Sequence, residues 1–272
     1  MGSIACFCVV VRKPHVQSSH TDYCFRFSTI WNIVQGEGIV VVKQWMAACF
    51  DHAMALNKSN IIQSLPARVD KFLDLGCDDG VWTCQLASQI YAQEIVGVDI
   101  VQERLDQASK KGVVTVDADL SGEIPLPSNE FDLIHANQVI EHVPDVDCFA
   151  SEIFRLLKPS GRVVLSTENT SSWHNIFASL FGWQIFSSTN VSVKKLGIGN
   201  PWALHRGEQD HLKTWTHKVI FSYRGLKEFC EAHGFRVITI RGAGYYPLPA
   251  WLGDVDVRHA HFITVVCEKP KA

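Results

Sequence analysis

Short apolar runs alternate with helical patterns between residues 69 and 168, and this rhythm limits the fold more than any other feature of the chain. Strands separated by helical stretches form a parallel sheet with helices on both faces. Right-handed crossovers bring the carboxyl ends of the strands to one edge, where open sheets bind ligands. The predicted strands are Lys71–Leu75, Glu94–Val98, Val113–Val116, Phe131–His135 and Arg162–Ser166, and the predicted helices are Val81–Ile90, Gln102–Lys111 and Asp147–Leu157.

The rhythm resumes near the C-terminus. A helix is predicted over Tyr223–His233, with Ser222 as its N-terminal cap and Gly234 at its end. Two strands follow, Phe235–Ile240 and His261–Cys267, which we expect to be antiparallel neighbours at the sheet edge. The chain therefore predicts an α/β protein with one mostly parallel sheet.

Residues 1–45 do not share this rhythm. Ile39–Val42 is predicted as a short strand, and Met46 opens a helical pattern. We expect an N-terminal extension over residues 1–45, either a poorly ordered arm or a structured cap. The main domain is then expected over residues 46–272, with a substrate-cover insertion at about 168–215.

The composition excludes several classes of protein. The 272 residues are 47% hydrophobic, which is typical of a globular chain, and the net charge of −3 argues against a nucleic-acid partner. Nine cysteines without a C-x-x-C pair indicate free thiols in a reducing compartment and no metal centre. No run reaches the ~20 apolar residues of a membrane span, and the N-terminus lacks the basic region of a signal peptide. We therefore expect a cytoplasmic protein with a small-molecule substrate; its oligomeric state is not predicted.

The turn after the first predicted strand reads DLGCDDG over residues 74–80. A glycine-rich turn in this position binds nucleotide-like ligands. Asp99 ends the second strand, 23 residues after the first glycine of the turn, where a carboxylate can accept from both hydroxyls of a ribose. Asp119 follows the third strand and can accept from an adenine amino group, while Ile100 and Leu120 are placed to sandwich the ring.

The charge of this turn favours one ligand over another. Asp74, Asp78 and Asp79 would repel the pyrophosphate of NAD or FAD, which needs bare backbone N–H groups. S-adenosyl-L-methionine has no phosphate and carries a sulfonium and an ammonium, so an acidic turn suits it. The turn also lacks the three-glycine dinucleotide pattern.

Five segments resemble the successive motifs of class I S-adenosylmethionine-dependent methyltransferases: FLDLGCDDG, IVGVDI, VDADL, FDLIHANQVIEHV and RLLKPSGRVVLSTEN. The resemblance is greatest to the type 11 group, which includes quinone-biosynthesis C-methyltransferases, and it covers roughly residues 46–268. It implies a Rossmann-like three-layer sandwich around a seven-stranded sheet of order 3-2-1-4-5-7-6 with one antiparallel strand.

The resemblance also implies S-adenosyl-L-methionine as cofactor, S-adenosyl-L-homocysteine as product, and roles for individual residues. Asp74, Gly76 and Gly80 would line the methionine end, and Asn137 would lie near the sulfonium. Asp78 departs from the family, which more often has glycine there. Aspartate tolerates left-handed backbone better than most residues, and its carboxylate either meets the ligand's ammonium or narrows the site.

Methyl transfer is an in-line displacement on an activated sulfonium, so it needs positioning and, for a hydroxyl nucleophile, a general base. Glu141 and His142, where the fourth strand ends, are the candidate bases. The candidate substrate residues lie in two segments where this fold places its substrate cover, and an ordinary structural role is the alternative for each. They are Trp173, His174, Phe177, His211 and His217.

Residues 169–193 contain no Asp, Glu, Lys or Arg. Trp173, Phe177 and Phe181 recur every fourth residue and would share one helical face. Three interpretations stay open: a helix packed on the core, an aromatic lid over an apolar substrate, or a helix on a membrane surface, which the lack of Lys and Arg disfavours.

The sequence predicts an S-adenosylmethionine-dependent methyltransferase that acts on a small, apolar or lipid-like acceptor. A non-catalytic S-adenosylmethionine-binding protein is one alternative. A NAD-dependent oxidoreductase is the other, and the acidic turn disfavours it.

Overall fold

A computed structural model describes residues 37–205 and 216–271. The chain divides into two compact units, residues 1–42 and 43–272, and apart from the first residues of its first helix the fold below is that of the second unit. Short 3-10 turns lie at Ile140–His142, Phe186–Ser188 and Val257–His259. The helices and strands are, in chain order, α1 (Glu37–Ser64), β1 (Lys71–Leu75), α2 (Val81–Gln89), β2 (Glu94–Asp99), α3 (Gln102–Ser109), β3 (Val114–Asp117), β4 (Phe131–Asn137), α4 (Val146–Leu156), β5 (Leu157–Glu168), α5 (Trp173–Leu180), α6 (Tyr223–Ala232), β6 (Arg236–Ala243), α7 (Leu252–Val255) and β7 (Phe262–Glu268).

Seven strands form one sheet in the order β3-β2-β1-β4-β5-β7-β6, which confirms the predicted order. β7 runs antiparallel to β5 and β6, and the other neighbouring pairs are parallel. Leu75, the last residue of β1, lies opposite Val98 of β2 and Ala136 of β4. The carboxyl ends of the three central strands therefore meet at one edge of the sheet.

Neighbouring residues of the central strands pack on opposite faces, as the period of two requires. Phe72 of β1 packs in one apolar cluster with Ile61 of α1 and Leu86 of α2. Leu73, the next residue along, packs in another with Phe149 of α4. Helices thus cover both faces, and the expected three-layer sandwich is confirmed.

Two local predictions are wrong. Residues Ile39–Val42 are helical and belong to α1; β-branched side chains cost only a few tenths of a kcal/mol each in a helix, so their preference for strands is easily overridden. β5 begins at Leu157 and not at the predicted Arg162, so residues 158–161 form its first part. The backbone N–H of Ser160 donates to the carbonyl of Lys269 (2.8 Å), and that of Lys269 donates to the carbonyl of Gly161 (2.9 Å). This segment therefore pairs with the chain beyond β7, although Ser160 itself has a left-handed backbone with a φ of 67°.

The cover segment is only partly described. α5 follows β5 and is the helix that the aromatic spacing predicted. Residues 206–215, and with them the substrate candidate His211, lie outside the described residues. The expected free thiols are seen wherever the structure describes a cysteine, at Cys49, Cys77, Cys84, Cys148, Cys230 and Cys267.

Candidate functional site

The turn between β1 and α2 is held in a left-handed conformation. Gly76, Asp78 and Gly80 have φ values of 72°, 48° and 76°, so aspartate does adopt the backbone of the family's usual glycine. A Cβ added at Gly76 would lie 2.6 Å from a methyl carbon of Val139. The backbone N–H of Gly76 donates to the carbonyl of Val98 (2.8 Å), which ties the turn to β2. Glycine is needed here for both its backbone conformation and its small size.

Asp74, which the resemblance places at the methionine end of the ligand, is buried in this structure, and its contact with a ligand stays a prediction. It is 2% exposed. Its Oδ2 accepts from the hydroxyl of Thr83 (2.5 Å), and its Oδ1 lies 2.7 Å from Nδ1 of His135 on β4. Both oxygens are therefore engaged, and the side chain joins the turn to α2 and β4.

The acidic turn is less negative than its sequence indicates. Asp78 pairs with Arg104 of α3 (3.2 Å), and Asp79 pairs with Lys111 (3.7 Å). Both pairs are largely exposed, so they stabilise the fold by little, but they offset the charge that the argument against a pyrophosphate relied on.

Asp99 is fixed at the end of β2. Its Oδ2 accepts from the backbone N–H of Asp78 (3.0 Å), and its Oδ1 accepts from that of Val101 (3.0 Å). Each carboxylate oxygen has a second lone pair. The side chain can therefore accept from a ligand while it holds the turn in place.

The predicted adenine residues follow β2 and β3, which are neighbours in the sheet. Asp119 is exposed, and its Oδ1 accepts from the backbone N–H of Ser121 (2.9 Å). Ile100 is 50% exposed, and Leu120 is half-buried. Asp117, two residues before Asp119, lies opposite Asp99 in the sheet, so Ile100, Asp119 and Leu120 all follow the ends of two paired strands.

Asn137 at the end of β4 is held by a residue that the sequence analysis did not single out. Its Oδ1 accepts from Nδ2 of Asn57 on α1 (3.0 Å). The Oδ1 of Asn57, which is fully buried, accepts from Ser166 of β5 (2.8 Å) and Thr264 of β7 (2.9 Å). A signal for this role exists, because Asn57, like Asn60 three residues on, is a polar residue on the stripe of α1 that carries Ala53 and Ile61.

Glu141 and His142 lie in the 3-10 turn after β4, and the fold brings His217 to them. Glu141 is 1% exposed, and burial raises the pKa of its carboxyl to about 8. Its Oε2 accepts from the hydroxyl of Thr167 (2.9 Å). Burial, together with His217 beside it, lowers the pKa of His142 to about 4, so this imidazole is neutral at pH 7. The role of Glu141 as a general base stays a prediction, and the carboxyl must lose its proton before it can act as one.

The aromatic residues of α5 lie at the surface, so the interpretation as core is wrong. Phe177 and Phe181 are 51% and 57% exposed, and their ring centroids are 4.8 Å apart. Trp173 stacks on the ring of His259 (4.4 Å), and its Nε1 donates to the hydroxyl of Tyr245 (2.7 Å). These rings form an exposed aromatic face anchored at one end.

His174, in contrast, is enclosed by other rings. Those of His261, Tyr246 and Phe186 lie 4.5, 5.1 and 5.5 Å from it. Burial lowers the pKa of His174 to about 3. The side chain is partly exposed, and its contact with a substrate stays a prediction.

Comparison with known proteins identifies the family of the chain that carries this site. A family model described as a methyltransferase domain matches residues 50–240. The chain belongs to the S-adenosylmethionine-dependent methyltransferases. This methyltransferase is 30% identical over 265 residues to the ubiquinone biosynthesis O-methyltransferase of Bartonella bacilliformis, covering 91% of this chain and 95% of the relative. It is also 30% identical over 179 residues to the demethylmenaquinone methyltransferase of Lactobacillus johnsonii, covering 63% and 70%.

A solved structure agrees with the fold. The S-adenosylmethionine-dependent methyltransferase from Mesorhizobium loti has a TM-score of 0.52 and 18% identity, covering 77% of this methyltransferase and 96% of that chain. The family implies S-adenosylmethionine as the cofactor, which removes the support for a NAD-dependent oxidoreductase. Within residues 37–205 and 216–271, none of the helices has the length and apolar character needed to cross a membrane.

Proposed function

We propose that this methyltransferase transfers the methyl group of S-adenosylmethionine to a small, apolar, aromatic or lipid-like acceptor. The exposed aromatic face of α5 carries the proposal. Apolar side chains grouped at a surface favour an apolar ligand or partner. α5 follows directly on β5, whose carboxyl end lies at the same sheet edge as those of β1, β2 and β4.

The names of two relatives support the same class of acceptor. They are a demethylmenaquinone methyltransferase and a ubiquinone biosynthesis O-methyltransferase, and quinone precursors are apolar aromatic molecules. Each relative is 30% identical to this chain, which leaves room for a different acceptor within the class.

The cofactor is proposed to lie along the carboxyl ends of β1, β2 and β3. Asp99 accepts from the ribose hydroxyls, and Asp119 accepts from the adenine amino group between Ile100 and Leu120. Gly76, Gly80 and Asp78 border the methionine end of the ligand, and Asn137 lies near the sulfonium. The bond-forming step then needs little beyond alignment, since a near-attack geometry can supply ~7–11 kcal/mol of the barrier.

The acceptor's nucleophile is proposed to meet the cluster at the end of β4. His142 and His217 supply imidazole nitrogens there, and Phe177 supplies apolar contact. This arrangement does not require Glu141 to act as the base.

A methyl-donor assay tests the proposal. The full chain is incubated with methyl-labelled S-adenosylmethionine and a panel of hydroxylated apolar aromatics, matched to polar sugars, nucleosides and peptides. We expect label to pass to apolar members only. Transfer to a polar class would contradict the acceptor assignment, and cofactor binding without transfer to any member would favour the non-catalytic alternative.

A further inference from the structure

Glu141, His142 and His217 form a cluster whose three possible ligand atoms all lie within 4.8 Å of one another. The first two residues are adjacent in the turn after β4, and the third comes from a segment 75 residues later in the chain. Backbone bonds join the two segments, since the carbonyl of Glu141 accepts from the N–H of Lys218 (2.6 Å). The cluster is thus built by the fold and not by a local sequence motif.

The carboxyl group of the cluster, which gives up its proton when it binds a cation, has an oxygen without a hydrogen-bond partner in the described part of the chain. Oε2 of Glu141 accepts from Thr167, but Oε1 has no hydrogen-bond partner among the described residues, although the side chain is 1% exposed. A buried polar atom without a partner is costly, and such atoms in native proteins call for an explanation. A cation bound at Oε1 would remove this cost.

In both imidazoles Nδ1 lies against a backbone carbonyl, which leaves Nε2 as the nitrogen that can bind a metal. Nδ1 of His142 lies 3.4 Å from the carbonyl of Thr216, and Nδ1 of His217 contacts the carbonyl of Ser187. A carbonyl can only accept, so Nδ1 carries the proton in each ring and Nε2 keeps its lone pair. Histidines that bind metals are commonly oriented in this way, with the other ring nitrogen donating to a backbone carbonyl.

The charged groups around the cluster bear on whether it can bind a cation. Glu168, at the end of β5, interacts electrostatically with both Glu141 and His217 and bonds to the side chain of Ser187. Lys218 opposes a cation, but its ammonium is hydrogen-bonded to the hydroxyl of Thr216. Two carboxyl groups therefore face two imidazoles and one ammonium.

We propose that Glu141, His142 and His217 bind a divalent transition-metal ion of the zinc class. Two imidazole nitrogens and one carboxylate oxygen suit zinc, iron or cobalt, whereas magnesium prefers oxygen ligands and retained water. Metal–ligand bonds of about 2.0–2.2 Å require the three ligand atoms to draw closer together as the ion enters. Three protein ligands leave a further position open for water or an acceptor oxygen.

We propose this site although the sequence analysis expects no metal centre, an expectation that rests on the absence of C-x-x-C pairs. Metal binding here depends on the identity and geometry of the three ligand residues, and not on which acceptor the enzyme methylates. Sequence spacing could not show it, because His217 is far from the other two ligands in the chain.

Metal titration of the full chain tests the inference. The protein is treated with EDTA, dialysed and titrated with Co²⁺, whose visible absorption reports its coordination, and then with Zn²⁺ in competition. We expect one equivalent to bind, with Zn²⁺ displacing Co²⁺. Glu141→Gln and His217→Ala should each weaken binding at least 10–100-fold, the loss seen when even the supporting partners of ligands are removed. His52→Ala, which removes an exposed histidine of α1, is the matched control and should leave binding unchanged.

Three results would overturn the inference: no binding up to millimolar Co²⁺, binding that both cluster variants leave intact, or binding of Mg²⁺ in preference to Zn²⁺. Circular dichroism and thermal unfolding of each variant show whether a loss of metal comes from a loss of fold. If a cluster variant unfolds, the conservative His142→Asn variant takes its place. Binding of S-adenosyl-L-homocysteine to the metal-free protein, measured in parallel, tests the cofactor assignment separately.

Discussion

At the scale of single residues, Asp99 has two functions that can be separated. Its oxygens already accept from two backbone N–H groups, so the side chain is oriented before any ligand arrives. Such a fixed carboxylate loses little conformational entropy when it binds a ribose. Because the side chain is held rigidly, replacing Asp99 tests the cofactor assignment directly.

Asp99→Ala should weaken binding of S-adenosyl-L-homocysteine by about 1.5–3 kcal/mol, the range for hydrogen bonds to a charged group. Calorimetric titration gives the dissociation constant, and thermal unfolding shows whether the turn survives. Asp106→Ala, which removes an exposed carboxylate of α3, is the control and should bind like the unchanged protein. Equal affinity in a folded Asp99→Ala variant would remove Asp99 from the site.

Gly76 provides a second test at this scale. Gly76→Ala adds a Cβ 2.6 Å from a carbon of Val139 at a φ of 72°, whereas Gly182→Ala meets a similar φ of 67° with no atom within 4 Å. Both variants carry the backbone cost of ~1–2 kcal/mol, and only the first adds overpacking of ~1–3 kcal/mol. Urea unfolding should show this difference. If Gly76→Ala/Val139→Ala does not recover the added loss, the steric explanation is wrong.

At the scale of elements, the limits of sequence prediction have physical causes. Strand and helix bounds within residues 71–157 could be predicted to within about two residues, because periodicity and breakers such as Gly112 agree there. The strand predicted over Ile39–Val42 is wrong, because β-branched residues favour strands but do not exclude a helix. The sequence spacing predicts that one helical face carries Trp173, Phe177 and Phe181. It does not predict that this face is exposed, because periodicity alone does not show what a face packs against.

The same physical causes decide which residues of the candidate site could be predicted from the sequence. Asp99 and Asp119 could be placed because each follows a strand end, and topology brings strand ends together. Asn57 and the contact of His217 with Glu141 depend on tertiary packing over long sequence separations, which one sequence does not show. Burial of Asp74 was equally hidden, because its partner His135 lies on another strand.

Phe177 tests the role of α5. Phe177→Ala should change the free energy of unfolding by no more than about 0.5 kcal/mol, because the ring is half-exposed. Phe149→Ala, at a fully buried ring of α4, is the contrast and should cost ~3–5 kcal/mol. Affinity for S-adenosyl-L-homocysteine should stay unchanged while methyl transfer to an apolar acceptor falls. Unchanged transfer would show that the aromatic face does not contact the acceptor.

At the scale of the whole molecule, stability should depend on pH through buried histidines. Burial lowers the pKa of His174 to about 3 and that of His261 well below its usual value. The unfolded chain takes up these protons near pH 6.5, so the stability gained from the neutral rings is complete above that pH and is lost as pH falls below it. Glu141, with its raised pKa, contributes with the opposite sign, so only a comparison of variants isolates the histidine effect.

His174→Gln removes one of these titrating groups. Between pH 7 and pH 5 the unchanged protein should lose roughly 1–2 kcal/mol more stability than this variant. Urea unfolding at both values measures the difference. Parallel losses in the two proteins would mean that His174 titrates alike in the folded and unfolded states.

One sheet edge, built from the ends of β1, β2 and β3, is proposed to bind the methyl donor. A crystal structure of the full chain grown with S-adenosyl-L-homocysteine tests this proposal. We expect both ribose hydroxyls within about 2.5–3.2 Å of the Asp99 carboxylate, with the adenine between Ile100 and Leu120. Ligand bound elsewhere, or a ribose that does not touch Asp99, would contradict it.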